Sequence, residues 1–413
     1  MAAGADKQEK TGRFYGVSAR RGNANWDKLI ARERELYTRA GDVRSPFARD
    51  FTRILHSNAY RRLKHKTQVF FNTENDHVCT RMEHVAHVDS VAYTIATFLG
   101  LNEELTRAIA IGHDLGHAPF GHHGEKVISE LSQKFTGATF WHEKNGLRIV
   151  DKLELLEDNH RVMRNLDLTY AVRDGIISHC GEIDQNGLRP RSELFDLNGL
   201  RFAGESQPAT WEGCVVKLSD KIAYLGRDIE DALSLGVIEE AQLEEVGAQP
   251  SGDSLNTTVI IRDLIADVCN TSTPEEGIGM SGSSFTRLNA IKKFNYENIY
   301  RSPRFKAFEE YARLIIKTLF DGLYSLYNGG FDFANLEKYA RSYPLLAGNF
   351  SDWLKKYCDE SVLPKNMRGG GYDNEKIYGA LLNEKIYAQA VLDFISGMTD
   401  AFAIRLFEEQ LKF

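Results

Sequence analysis

Seven of the chain's twelve histidines (His84, His87, His113, His117, His122, His123 and His142) fall within residues 84–142, one seventh of the 413-residue sequence. A lone histidine is ordinarily a core or surface group. Seven together point to metal binding or proton transfer, because imidazole both ligates metals and titrates near neutrality. The central string is His113-Asp114-Leu115-Gly116-His117-Ala118-Pro119-Phe120-Gly121-His122-His123-Gly124-Glu125. Imidazole nitrogen with carboxylate oxygen suits Mn, Fe, Ni, Mg or Zn, and the absence of neighbouring cysteine argues against a structural zinc cage. An adjacent His-Asp pair offers two ligands at most, so others must come from further helices. His122 and Glu125 lie three apart, a spacing that lets a carboxylate orient an imidazole. His117 lies four after His113 and shares its face only if the helix runs on through Gly116. His87 and His123 read as structural or surface groups.

The elements that must position these groups read as helices. In TRMEHVAHVDSVAYTIATFLG (80–100), Thr80 and Glu83 form a capping box, Val85, Val88, Ala92, Ile95 and Leu99 make an apolar stripe, and Gly100 closes the end. Asn102 caps the next helix, with acids in its first turn. Helical periodicity recurs over residues 26–39, 121–135, 142–155, 167–179 and 209–235, and Ser45 before Pro46 is a further helix start. On the last of these stretches Asp220, Tyr224 and Asp228 stand at i, i+4 and i+8, one polar row on one face. Residues 181–208 carry no sustained period and read as a long surface excursion on the substrate side. A Gly/Pro/Ser/Asp cluster at 247–254 is the best boundary, and 272–284 and 366–374 are loops. An all-α protein is expected: an arm and first helix over 1–44, a core over 45–246, and a C-terminal helical region over 255–413 that holds no histidine.

Fifty-one basic against fifty-eight acidic residues leave a net charge of −7. Bulk charge therefore does not indicate nucleic acid, and an anionic substrate must meet a local basic group. Arg81, three before His84, and Lys221, beside Asp220, are candidates for phosphate contact. The run Arg61, Arg62, Lys64, His65, Lys66 is equally a solvated face or a substrate or effector contact. Five scattered cysteines without a CxxC pair suggest reduced thiols and a cytoplasmic protein. The first ten residues lack the apolar core of a signal peptide, and no run approaches the roughly 18 apolar residues of a membrane span. No GxxxxGK[ST] loop is present, which excludes that class of motor or kinase.

Five blocks, YRRLKHKTQVF (60–70), TRMEH (80–84), HDLGHAPFGHHGE (113–125), HEKNGLR (142–148) and SDKIAYLGRDIED (219–231), stand in the order and spacing of one family. Between about Ser45 and Asp231 the chain resembles the metal-dependent HD-domain phosphohydrolases, and within them the deoxynucleoside triphosphate triphosphohydrolases. The resemblance implies an HD helical-bundle core, with a divalent metal ion on His84, His113, Asp114 and Asp220. It further implies catalytic work at His117, His122, Glu125 and His142, phosphate contacts at Arg81 and Lys221, and sugar selection by Gln68, Tyr224 and Asp228. The implied reaction releases triphosphate from a dNTP. Members of the family typically form closed homo-oligomers, hexamers or tetramers, and many take a nucleotide effector. The rival readings are a 5′-deoxynucleotidase or signalling-nucleotide hydrolase on the same metal site, and a non-catalytic nucleotide or single-strand sensor. The full set His117, His122, Glu125 and His142 speaks against the sensor, which has no need of proton shuttles.

Overall fold

A computed structural model of the protein describes residues 12–36, 41–71, 75, 77–180, 185–247 and 257–412. The helices that build the two units and the site are α1 (Pro46–His56), α2 (Arg81–Leu99), α3 (Glu103–Gly112), α4 (Gly121–Phe135), α5 (His142–Arg148), α6 (Tyr170–Ser178), α7 (Trp211–Ser234), α8 (Thr257–Thr271), α9 (Gly282–Phe294), α10 (Arg304–Tyr324), α11 (Pro344–Tyr357), α12 (Glu384–Ser396) and α13 (Asp400–Leu411). Strands among the described residues are confined to one antiparallel pair, β1 (Leu155–Glu157) and β2 (Met163–Asn165), with Leu155 opposite Asn165. The fold is all-α, as expected. None of these helices is long and apolar enough to cross a membrane.

The chain packs as two units, each discontinuous in sequence. The first comprises Met1–Leu55, Gln68–Asp114 and Asp167–Lys306. Its centre is α2 packed on α3 and α7, with α6 and α8 against them. The apolar stripe of α2 (Val85, Val88, Ala92, Ile95, Leu99) is buried, as are Leu105, Ala108 and Ile109 of α3 and Val215, Ile222 and Ile229 of α7. The predicted ends of α2 hold: the Thr80 and Glu83 side chains exchange hydrogen bonds with each other's backbone N–H, and Gly100 is left-handed at φ 79°. Asn102 caps α3 through the Leu105 N–H at 3.2 Å. Helices α3 and α6 pass so closely that a Cβ on Gly175 would lie 2.6 Å from the Ile109 side chain.

The second unit comprises His56–Thr67, Leu115–Leu166 and Ala307–Phe413. Here α4 packs on α12, and α11 packs on α12 and α13. Phe350, Trp353, Tyr357, Tyr387 and Phe394 form an aromatic cluster between these helices. The bend into α4 needs two successive left-handed residues, Phe120 (φ 65°) and Gly121 (φ 58°).

Three expectations need correction. Helical periodicity over 26–39 yields only Trp26–Leu29, because Arg32 leaves the helix to donate to Asp50 at 2.6 Å and to the Pro46 carbonyl at 3.1 Å, while 37–40 lie outside the described residues. The stretch 142–155 is helical only to Arg148, passes through a π-turn (Ile149–Leu153), and then enters β1. There the Tyr357 hydroxyl takes the Leu153 carbonyl, and the Glu154 carboxylate is bound by the Asn58 N–H and Arg62. The loop expected at 272–284 gives way to α9 at Gly282, where Ser281 caps the helix. The 247–254 boundary lies, Gly247 apart, outside the described residues.

Candidate active site

In the first unit, α2 carries His84, the 3₁₀ turn that follows α3 (His113–Gly116) carries His113 and Asp114, and α7 carries Asp220. His84 Nε2 lies 3.0 Å from Asp220 Oδ1, and His113 Nε2 lies 3.8 Å from the same oxygen and 3.6 Å from Asp114 Oδ1. One ligand atom each from His84, His113 and Asp220 fit within 4.8 Å of one another, a spacing able to hold a metal ion. The decisive detail is His113. Its Nδ1 stands 2.6 Å from the Ala110 carbonyl, while its buried Nε2 has no hydrogen-bond partner. A proton held on Nδ1 by a carbonyl leaves Nε2 as a lone pair, the tautomer a metal ligand needs.

The electrostatics suit the same role. Burial lowers the His113 pKa to about 4, so the ring is neutral near pH 7. Burial would raise Asp220, but its hydrogen bond to His84 and the neighbouring imidazoles hold it at about 2. For His84 burial opposes the charged form, yet the Asp220 bond and the Asp220 and Asp114 charges outweigh it and raise the pKa above the ordinary 6.5. Arg81 is buried with Nη1 2.8 Å from Asp114 Oδ2, which braces that carboxylate, and its Nε has no hydrogen-bond partner. Lys221 is buried beside Asp220 on α7.

Two turns further along α7, Asp228 is buried and accepts a hydrogen bond from the Tyr300 hydroxyl. Tyr300 ends a π-turn (Asn295–Tyr300) that Asn295 ties to α7 by donating to the Leu225 carbonyl at 3.0 Å. Burial, and then the Asp228 charge, push the Tyr300 hydroxyl well above its usual pKa, so it stays a donor. Tyr224 is half-buried on the same helical row, and Gln68, also of the first unit, has a buried Oε1 without a hydrogen-bond partner.

The second unit holds the other histidine group. The His117 and His142 rings stack at 3.9 Å and 17°, and His122 lies edge-on to His117 at 5.4 Å. Glu125 Oε2 stands 3.2 Å from His142 Nδ1, 3.6 Å from His122 Nδ1 and 3.9 Å from His117 Nδ1, and Oε1 accepts the His142 N–H at 2.8 Å. Burial would raise Glu125, but His142, His122 and His117 hold it well below the usual carboxylate range. The expected His122–Glu125 pairing is present, but Glu125 is closer to His142, and the His122 side chain is 73% exposed. Helix α3 stops at Gly112, so His117 reaches this group by way of the 3₁₀ turn and not along a continued α-helical face. Of the basic run at 61–66, Lys66 donates to the His117 carbonyl and Arg62 pairs with Glu154, while Arg61, Lys64 and His65 are exposed.

Two stretches of the chain match known protein families. The HD domain matches residues 81–225, and the phosphohydrolase-associated domain matches residues 278–342. A deoxyguanosinetriphosphate triphosphohydrolase-like protein of Caldanaerobacter subterraneus subsp. tengcongensis is 33% identical over 368 residues, covering 89% of this chain and 85% of its own. The namesake proteins of Desulfatibacillum aliphaticivorans (40% identical; 68% of this chain, 73% of that one) and Clostridium tetani (31%; 89% and 85%) are also similar. The chain belongs to this HD-domain, dGTPase-like family. Within this phosphohydrolase family, the HD match takes in both histidine groups, Arg81, Lys221 and Tyr224, and stops three residues before Asp228. Tyr300 falls in the phosphohydrolase-associated match. Sequence reading did not find it: in NYENIY it has no spacing relation to Asp228, 72 residues away. His179 was missed as well. Its Nδ1 stands 2.7 Å from the Ile176 carbonyl, and its ring lies edge-on to His113 at 5.0 Å.

Proposed function

We propose that the protein hydrolyses deoxynucleoside triphosphates, dGTP among them, to deoxynucleoside and inorganic triphosphate. The observation that carries this reading is the unpartnered, correctly tautomeric His113 Nε2 beside His84, Asp114 and Asp220, in a chain whose relatives are named as dGTP triphosphohydrolase-like. Those four residues would hold a divalent cation, Mn, Mg, Ni, Fe or Zn. The chemistry such an ion supplies is polarisation of a phosphoryl oxygen and acidification of water near neutral pH.

The remaining work falls to side chains. Arg81, braced on Asp114, and Lys221 offer positive charge to an anionic substrate in a protein that is acidic overall. His117, His122 and His142, held around an ionised Glu125, transfer protons: one takes the proton of the attacking water, and another returns a proton to the leaving 5′ oxygen of the sugar. Water thus adds across the bond between the α-phosphorus and that oxygen. Gln68 and Asp228 offer hydrogen bonds to a 3′-hydroxyl, with Tyr300 fixing the Asp228 carboxylate, and the Tyr224 ring leaves little room for a 2′-hydroxyl. The family resemblance also supports a cytoplasmic closed homo-oligomer, hexamer or tetramer, with a nucleotide effector.

The test is incubation with each dNTP alone and with all four mixed, in Mn²⁺ and Mg²⁺ separately, with the products resolved by ion exchange. Deoxynucleoside with intact triphosphate is expected, and activity confined to the mixture reveals an effector site. Monophosphate with pyrophosphate, or no product in any mixture, overturns the reading.

A further inference from the structure

Asp400 opens α13, yet that helix is already capped by Thr399, whose hydroxyl accepts the Phe402 N–H at 3.2 Å. The buried Asp400 carboxylate instead serves two distant segments of its own unit: Oδ1 accepts the Phe120 N–H and Oδ2 the Thr67 N–H, both at 2.9 Å. Phe120 is a buried aromatic in the left-handed region (φ 65°, ψ 24°), a conformation an L side chain disfavours and that must be held from outside. Besides Asp400, its ring packs edge-on to Phe308 at 6.3 Å. Immediately after it, the first turn of α4 presses on the loop so tightly that a Cβ on Gly124 would lie 1.8 Å from the Pro119 carbonyl oxygen.

This bend joins the parts of the histidine group. Upstream, the His117 carbonyl is held by Lys66, the neighbour of Thr67, and downstream α4 carries His122 and Glu125. Thr67, Phe120 and Asp400 therefore form one clamp across the loop that separates His117 from Glu125. We infer that Asp400 is a positioning residue for proton transfer: by fixing the Phe120 and Thr67 backbone it sets where Glu125 stands against His142 and His117. This rests on the role proposed above for that group. Without the clamp, the backbone at Phe120 relaxes toward negative φ, α4 swings at its first turn, and Glu125 withdraws from the imidazoles that keep it ionised.

The experiment compares Asp400→Asn with Glu154→Gln, a buried carboxyl of the same unit that caps Asn58 without touching the loop. Two readouts are used. The carboxyl titration of Glu125 by NMR needs no substrate, and kcat and KM are taken from triphosphate release across pH. Asp400→Asn is expected to raise the Glu125 midpoint toward the ordinary value and to lower kcat by roughly 10–100-fold with KM within about threefold. Glu154→Gln lowers the melting temperature and leaves the Glu125 midpoint in place. An unmoved midpoint, with kcat falling only as the folded fraction falls, overturns the inference. Should Asp400→Asn fail to fold, Thr67→Pro decides: it removes the N–H that Oδ2 accepts and leaves the Asp400 carboxylate in place, after a Lys66 backbone (φ −115°, ψ 133°) that tolerates a following proline. A Glu125 midpoint unchanged there also overturns it. A moved midpoint in the variant, when the unsubstituted protein itself releases no triphosphate, refutes the proposed reaction and leaves the positioning role standing.

Discussion

At the scale of single residues, a cation and a proton compete for His84. Because its pKa is raised above 6.5 by Asp220, cation binding must expel a proton below that pKa, so affinity climbs with pH up to it, by about tenfold per unit, and then levels. His113, neutral above about 4, and Asp220, ionised above about 2, add no slope near neutrality. Calorimetric titration with Mn²⁺ in two buffers of different ionisation enthalpy checks this; a pH-independent affinity with no proton release removes His84 from the ligand set. Asp114→Ala is expected to lose cation binding and turnover together, and turnover retained in a sample of known metal content refutes the assignment. Tyr224→Ala should relax the preference for dGTP over GTP, which product assays on the two nucleotides measure directly. The His-Asp pair and the clustered histidines were legible because such residues rarely gather without a chemical reason. Tyr300 and Asp400 were not legible, since each acts through contacts made across 72 or more residues of chain.

At the scale of elements, helix starts were easier to read than helix ends. Thr80–Glu83 and Asn102 announce themselves because a cap is a local bargain between a side chain and the next backbone N–H groups. The ends of the stretches at 26–39 and 142–155 were set by distant partners, Asp50 for one and Tyr357 for the other, which periodicity cannot report. Two glycines carry predictions here. Gly175→Ala should destabilise the first unit by about 1–3 kcal/mol, because its Cβ meets the Ile109 side chain where α3 and α6 cross. Thermal unfolding reads that loss, and an unchanged midpoint shows the crossing to be looser than described. Gly116→Ala meets backbone instead, 1.9 Å from the His142 carbonyl oxygen and 2.3 Å from the Gly146 nitrogen, so α5 must move and unstack His142 from His117. A loss of kcat near 100-fold is expected, with cation binding kept.

At the scale of the whole molecule, the all-α class was legible, while the membership of the two units was not. Hydrophobic period says which face of a helix is buried and never against which partner. The second unit draws on 56–67, 115–166 and 307–413, so the stretch 45–246 contains only part of it. Expressed as a fragment, that stretch deprives α4 of α12 and the Phe120 N–H of Asp400, and the amides of α4 and α5 should exchange without protection in it. Protected α4 and α5 amides in the fragment would show that these helices fold without the C-terminal ones. The same clamp also sets a clock. Asp400 follows Thr67 by 333 residues, so at about 5–20 residues per second a ribosome delivers it roughly 20–70 seconds later. Throughout that interval a nascent chain displays its histidines without the anchor that orders them, and a product truncated before residue 400 never acquires it. The loop between His117 and Glu125 is therefore among the last parts of the fold to be secured, although it is among the first to be made.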